Sequence, residues 1–127
     1  MRNSAILIVL LVVLTSTNRQ NKYDITLEYV YDGDTITADI EAYPGIILND
    51  QKIRLYAINA PEVRGEERIE GLKAKQALIE LLDNQNIQMI HHGKGKYGRT
   101  IGELYIQDTI SVSNWMVRNG YAEYVKY

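Results

Sequence analysis

Three short clusters in this 127-residue chain hold residue types able to do chemistry. The first is Asp32-Gly33-Asp34-Thr35. Residues two apart in a strand share a face, so both carboxylates can point one way and offer hard oxygen donors to a cation. An EF-hand loop is excluded, because Ile36 and Thr37 stand where its third ligand and its glycine belong. The second cluster runs from Arg54 through Asn59-Ala60-Pro61-Glu62. An arginine in an otherwise apolar strand needs a partner or a ligand, since burying it unpaired is costly. Pro61 holds Ala60 extended and so aims its carbonyl. The third is Gly93-Lys94-Gly95-Lys96-Tyr97-Gly98-Arg99. Its G-x-G-x-x-G spacing is followed by a strand pattern rather than a helix, so a dinucleotide site is excluded. Three cations around Tyr97 suit phosphate groups and a stacked base. Each cluster alone also has a plain structural reading: a hairpin turn, an edge-strand arginine in a surface ion pair, and a solvated basic loop.

The remaining chemistry narrows quickly. With no cysteine, thiol nucleophiles, iron–sulfur clusters and cysteine zinc sites are excluded. The two adjacent histidines, His91 and His92, support neither a metal set nor a Ser-His-Asp triad, and only one of them is expected to face the core. The net charge of −2 provides no bulk attraction for a polyanion. Any nucleic-acid site must be a local basic patch.

Elements able to position these clusters follow from periodicity. Tyr23–Tyr31 alternates Ile25, Leu27, Tyr29 and Tyr31 against polar positions, and Thr35–Ala42 alternates Ile36, Ala38, Ile40 and Ala42. Both read as half-buried strands joined at Asp32-Gly33. Pro44-Gly45 opens a loop before a third strand, Lys52–Ile58. Strict alternation sets Arg54 and Asn59 on opposite faces about 16 Å apart, so convergence requires a bend near residues 57–59. Glu66–Leu82 changes to helical spacing, although Gly71 inside it costs about 1 kcal/mol against alanine. Ile87–His92 and Thr100–Ile106 are two further strands. Val112–Asn119 is a short helix with Ser111 as N-cap, Gly120 at C′ and Trp115 in the core. This order fits a β-barrel with helices, a five-stranded OB-fold, and also an open α+β sheet. Ahead of the domain, Ala5–Leu14 is an unbroken apolar run, too short to span a bilayer and of signal-peptide length. Residues 1–20 therefore read as a signal peptide or N-terminal membrane anchor, and 21–127 as the domain. That implies an exported protein, secreted or periplasmic, touching a membrane only through the first segment.

Taken together, the clusters resemble the staphylococcal nuclease (thermonuclease) family: Val30–Thr35, then Arg54-Leu55 with Asn59-Ala60-Pro61-Glu62, then Lys96-Tyr97-Gly98-Arg99, in that order. The resemblance covers roughly residues 23–122 and implies a five-stranded OB barrel. It also implies hydrolysis of phosphodiester bonds in DNA and/or RNA with Ca²⁺. Carried over by position, Asp34, Asn59 and the Ala60 carbonyl are the metal ligands. Glu62 is the general base, Arg54 and Arg99 hold the phosphoryl oxygens, and Lys96, Tyr97 and Tyr127 contact the nucleotide. Asn59 departs from the family's usual aspartate, lowering the charge of the Asp34/Asn59/Glu62 set from −3 to −2 and weakening calcium. The rival expectation is a non-catalytic OB module that binds single-stranded nucleic acid. A monomer without a protein partner is expected.

Overall fold

The computed structural model describes residues 21–126. The segment expected to be a signal peptide or anchor (1–20), and Tyr127, lie outside the described residues. The strands are β1 (Lys22–Asp32), β2 (Thr35–Tyr43), β3 (Ile46–Leu55), β4 (Ile58–Asn59), β5 (Ile87–Lys94), β6 (Thr100–Ile106), β7 (Ile110–Ser111) and β8 (Glu123–Tyr124). Two helices, α1 (Arg68–Leu82) and α2 (Val112–Arg118), complete the fold. The long strands follow the order β3-β2-β1-β5-β6 and are antiparallel throughout. Parallel pairing of Ile53–Leu55 with Thr100–Gly102 then closes the sheet on itself. The result is a five-stranded mixed barrel carrying two helices, as the resemblance implies. Closure excludes the open α+β sheet. Ile36, Ile53, Leu55 and Leu104 from the strands meet Leu78 and Met116 from the helices in one core. Each such fully buried side chain contributes about 1.5–3 kcal/mol.

Three local features depart from simple alternation. In β1 the register slips between Leu27 and Tyr29, and again between Val30 and Asp32. A bulge inserts one residue and reverses which side chains face inward. Val30 and Asp32 are therefore buried, while Tyr29 and Tyr31, expected on the same face as Ile25, point outward. The expected loop after Pro44-Gly45 is only a two-residue turn with Gly45 at φ 82°, and β3 begins at Ile46. Asn49-Asp50, within the expected loop, is a bulge of β3. Asp50 sits at φ 54°, and its N–H donates to Asp39 Oδ1 at 2.9 Å. Finally, β3 ends at Leu55, and Ala57 at φ 63° supplies the bend that convergence required.

The helices form where expected. Acidic residues open the first, beginning with a 3-10 turn at Gly65–Glu67. Ser111 caps α2 by accepting the Asn114 N–H at 3.3 Å, and Gly120 follows at φ 79°. Trp115 packs against the core edge and stacks on Tyr121. Neither histidine enters the core. The His92 ring stacks on Tyr56 with centroids 3.7 Å apart, and His91 Nδ1 accepts the Gly93 N–H.

Candidate active site

The β1–β2 turn delivers Asp34 to the end of the barrel where β3 finishes. Asp34 is buried, and every bond to its carboxylate holds it in place. Oδ1 accepts the Thr35 hydroxyl at 2.9 Å. Oδ2 accepts the Ala60 N–H at 2.6 Å and pairs with Arg54 Nη1 at 3.2 Å. Arg54 Nη2 donates to Asn59 Oδ1 at 3.2 Å. The guanidinium thus lies between the two side chains expected to hold a metal, and its charge is compensated. The bend at Ala57 turns Asn59 back toward Arg54. Antiparallel pairing of β4 with β8, plus a bond from Val125 N–H to the Ala57 carbonyl at 2.9 Å, holds that bend.

The β5–β6 loop closes the other side. A cavity of about 490 Å³ is lined by Arg54, Asn59, Lys94, Lys96, Arg99 and Val125, among others. Arg99 and Lys96 thus face the same space as Arg54 without touching it. The loop is fastened by Gly95 N–H to the Arg99 carbonyl at 2.7 Å, and Arg99 Nε donates to the Lys96 carbonyl at 3.4 Å. Tyr97 sits at φ 62° and is 93% exposed, with the Arg99 guanidinium 5.9 Å from its ring centre. A left-handed tyrosine turned wholly to solvent gains nothing from packing.

Two participants were not singled out by sequence. Asp32 was grouped with Asp34 but given no separate role. It is buried, and its Oδ1 accepts the Asp34 N–H at 3.0 Å. Burial first, then the charges of Asp34 and Glu62, push its carboxyl from the ordinary 3.8 to about 7. The folded metal-free protein therefore keeps a proton that the unfolded chain releases between pH 4 and 7, and stability falls as pH rises through that window. Denaturant midpoints in chelator should drop from pH 5 to pH 8. Asp32→Asn should remove most of that drop.

Gly71 is the second. A Cβ there would fall inside the van der Waals shell of the Glu62 carbonyl, and 2.9 Å from Val63 N. The residue that looked like a flaw in the helix lets α1 press against the backbone of Glu62. Gly33 does the same for the turn: its Cβ would lie 2.7 Å from that of Ala74 and 2.8 Å from that of Ala60. The Glu62 N–H donates to Glu67 Oε2 at 2.9 Å, and the side chain is exposed at the rim.

The oxygens gathered near Arg54 are hard donors: the Asp34 carboxylate, with the Asp32 carboxyl beside it, and the Asn59 amide, while Ala60 is joined to Asp34 through its N–H and Glu62 is exposed. Among the described residues no three Asp, Glu, His or Cys side chains converge on a metal-sized point. An amide and a main-chain carbonyl must then complete any cation site. Burial of the Asp32 carboxyl beside the charges of Asp34 and Glu62 is an electrostatic state that a cation would relieve. These donor types are the ones a hard divalent ion takes, and two of them are engaged by Arg54.

Residues 52–127 match the model of a protein family described as "Staphylococcal nuclease homologue". The chain belongs to this family. The matched stretch includes Arg54, Asn59, Ala60, Glu62, Lys96, Tyr97, Arg99 and Tyr127. Asp34 precedes it and is tied to it through Arg54 and Ala60. The chain is 30% identical over 116 residues to an "Uncharacterized endonuclease" of Haemophilus influenzae, covering 91% of this chain and 60% of that one. It is 29% identical over 96 residues to an "Uncharacterized endonuclease" of Escherichia coli O157:H7, covering 73% and 55%. It is also 29% identical over 77 residues to the "Probable staphylococcal-like nuclease CAN1" of Oryza sativa subsp. japonica, covering 61% and 22%. The chain therefore spans less than two thirds of the length of each of these relatives.

Proposed function

We infer that this domain is a calcium-dependent nuclease hydrolysing phosphodiester bonds of DNA and/or RNA. The observation that carries the reading is Arg54, clamped between Asp34 and Asn59 and facing Arg99 and Lys96 across one cavity. Two guanidinium groups that never lose their charge suit a phosphoryl group gaining negative charge. Arg54 is held before substrate arrives, so it need not reorganise during reaction. Arg99 rides on the loop and can follow the scissile phosphate. Lys96 and the exposed Tyr97 bind the neighbouring nucleotide by charge and stacking, which tolerates any base. Glu62 accepts a proton from the attacking water as the new P–O bond forms. The old P–O bond breaks, and the leaving oxygen is protonated from solvent. Asp34, Asn59 and the Ala60 carbonyl would hold Ca²⁺, which supplies charge neutralisation at the phosphoryl oxygens. The relatives' printed names support the reaction class.

Cleavage of single-stranded DNA by the full chain, in millimolar-range calcium and in chelator, tests the reading. Cleavage in calcium and none in chelator supports it. Saturable binding without cleavage at any calcium concentration would point to the non-catalytic OB module. Asn59→Asp restores one negative charge beside the cation. Near an effective dielectric of about 20, this strengthens calcium by about one to a few kcal/mol. The half-saturating calcium concentration is then expected to fall about tenfold or more. Titrating cleavage against calcium checks it, and an unchanged midpoint would remove Asn59 from the ligand set. The apolar run Ala5–Leu14 supports export of the domain by a signal peptide or an anchor.

A further inference from the structure

The bend that returns Asn59 to Arg54 turns on a non-glycine residue, Ala57 at φ 63°. A left-handed alanine is disfavoured on its own and persists only where its surroundings over-determine it. Beyond the bend, β8 and the Val125 N–H do this. Ahead of it stands Tyr56, which is held at both backbone and ring. Its N–H donates to the Gly102 carbonyl at 3.0 Å, extending the seam that closes the barrel. Its carbonyl accepts the Ser113 hydroxyl from α2 at 2.9 Å. Its ring lies flat on that of His92, with the two planes only 5° apart.

His92 neither enters the core nor lines the cavity that Arg54 and Arg99 share. Its far side is braced all the same. Nε2 lies 3.9 Å from Glu103 Oε2, while Glu103 Oε1 accepts the Tyr105 hydroxyl. Glu103 and Tyr105 stand two apart on β6 and share its outward face, while Leu104 between them is buried. The Lys22 ammonium covers the Tyr105 ring, 4.6 Å from its centre. The bond to Glu103, then burial, raises the Tyr105 hydroxyl from the ordinary 10 to about 12, so it remains a donor near neutral pH. Lys22 of β1, Tyr105 and Glu103 of β6 and His92 of β5 thus form one connected row that ends on Tyr56.

We propose that His92 is a positioning residue: its ring, braced by Glu103, clamps Tyr56 at the entrance to the bend and so holds Asn59 against Arg54. Asn59 Oδ1 receives Arg54 Nη2 at 3.2 Å from the far side of that bend. Loosening Tyr56 lets Ala57 leave its disfavoured conformation, and Asn59 then withdraws from the guanidinium. His92 acts through Tyr56 and touches no reacting group. Its effect on cleavage rests on the nuclease reading, in which Arg54 meets the phosphoryl oxygens already oriented. A stacked ring pair biases an equilibrium by about two- to tenfold, which sets the size of the local opening expected without it.

Amide hydrogen exchange of the full chain, in chelator and without nucleic acid, tests the clamp apart from catalysis. In His92→Ala, exchange at the Tyr56 and Val125 N–H groups is expected to quicken about two- to tenfold. The Gly95 N–H, which fastens the β5–β6 loop, and the amides pairing β1 with β2 should keep their rates. His92→Phe retains a ring for stacking and should restore slow exchange. In calcium, kcat for single-stranded DNA should fall at least as far in His92→Ala and recover in His92→Phe, with KM within a few-fold throughout. Unchanged exchange at Tyr56 and Val125 overturns the proposal. Equal acceleration at every amide also overturns it, since the ring would then add only general stability. Acceleration centred on Gly95 does the same, because His92 would be acting through the loop. No recovery in His92→Phe, or a kcat that ignores the opened bend, removes the positioning role. If exchange responds as expected while the wild type cleaves nothing, the clamp stands and the nuclease reading falls.

Discussion

Glu62→Gln is expected to lower calcium-dependent cleavage of single-stranded DNA by about 10²–10⁴-fold, the range contributed by a positioned general base. The substitution keeps the shape of the side chain and removes its negative charge together with its ability to take a proton. Glu62 is exposed at the rim, and its structural bond to Glu67 runs through its own backbone N–H, so the fold is unaffected. Oligonucleotide binding, which the proposed function assigns to Arg54, Lys96 and Arg99, should persist. The two readouts must separate: turnover collapses while the binding midpoint stays within a few-fold. If wild type and Glu62→Gln are equally inert over a wide calcium range, the nuclease reading goes. The exposed Tyr97 loop then becomes a nucleic-acid binding surface to test next. If both cleave equally, the water is activated by another group.

Gly71→Ala is expected to be the most damaging single methyl in the protein. On helix propensity alone alanine should stabilise α1 by about 1 kcal/mol. The added carbon instead collides with the carbonyl of Glu62 and lies 2.9 Å from Val63 N, both of them backbone that cannot rotate away. Overpacking of this kind costs about 1–3 kcal/mol net, so thermal unfolding should move several degrees lower. Relief of the clash displaces the segment that carries Asn59, Ala60 and Glu62. A shift of about 1 Å at reacting groups costs about 10²-fold in rate. A double-mutant cycle distinguishes this from general weakening. In the Glu62→Gln background, Gly71→Ala should have a smaller further effect on turnover, what is left of it passing through Asn59 and Ala60, while keeping its full effect on unfolding. Additive rate effects would mean that Gly71 does not act through Glu62.

Much of the barrel was legible because its signals are local. Ile36, Ala38 and Ile40 alternate on an uninterrupted stretch of β2, and their burial follows the pattern. Ser111 and Gly120 mark the ends of α2 by chemistry confined to one turn. The misreadings share one cause. In β1 the bulge at Glu28 reverses the inward face, and nothing in Thr26–Val30 announces it, since a bulge depends on the partner strand's register. Ile46–Gln51 lacks alternation and contains Asn-Asp, so it read as loop. It becomes strand because the long β2 offers it an unpaired edge.

For the candidate site, residue types and order carried the family resemblance through which Asp34, Arg54, Asn59, Ala60, Glu62, Lys96, Tyr97 and Arg99 were proposed. Charge type and donor hardness are properties of single side chains. Which groups touch was decided by tertiary structure alone. Arg54 meets Asp34 across twenty residues because β3 pairs with β2, and meets Asn59 because Ala57 turns the chain through a left-handed residue. Asp32 acquires its raised pKa only when the bulge buries it beside Asp34. Gly71, a defect when the helix is considered alone, is required once Glu62 packs against it. Such roles arise between elements distant in sequence, where a one-dimensional pattern carries no record of the contact.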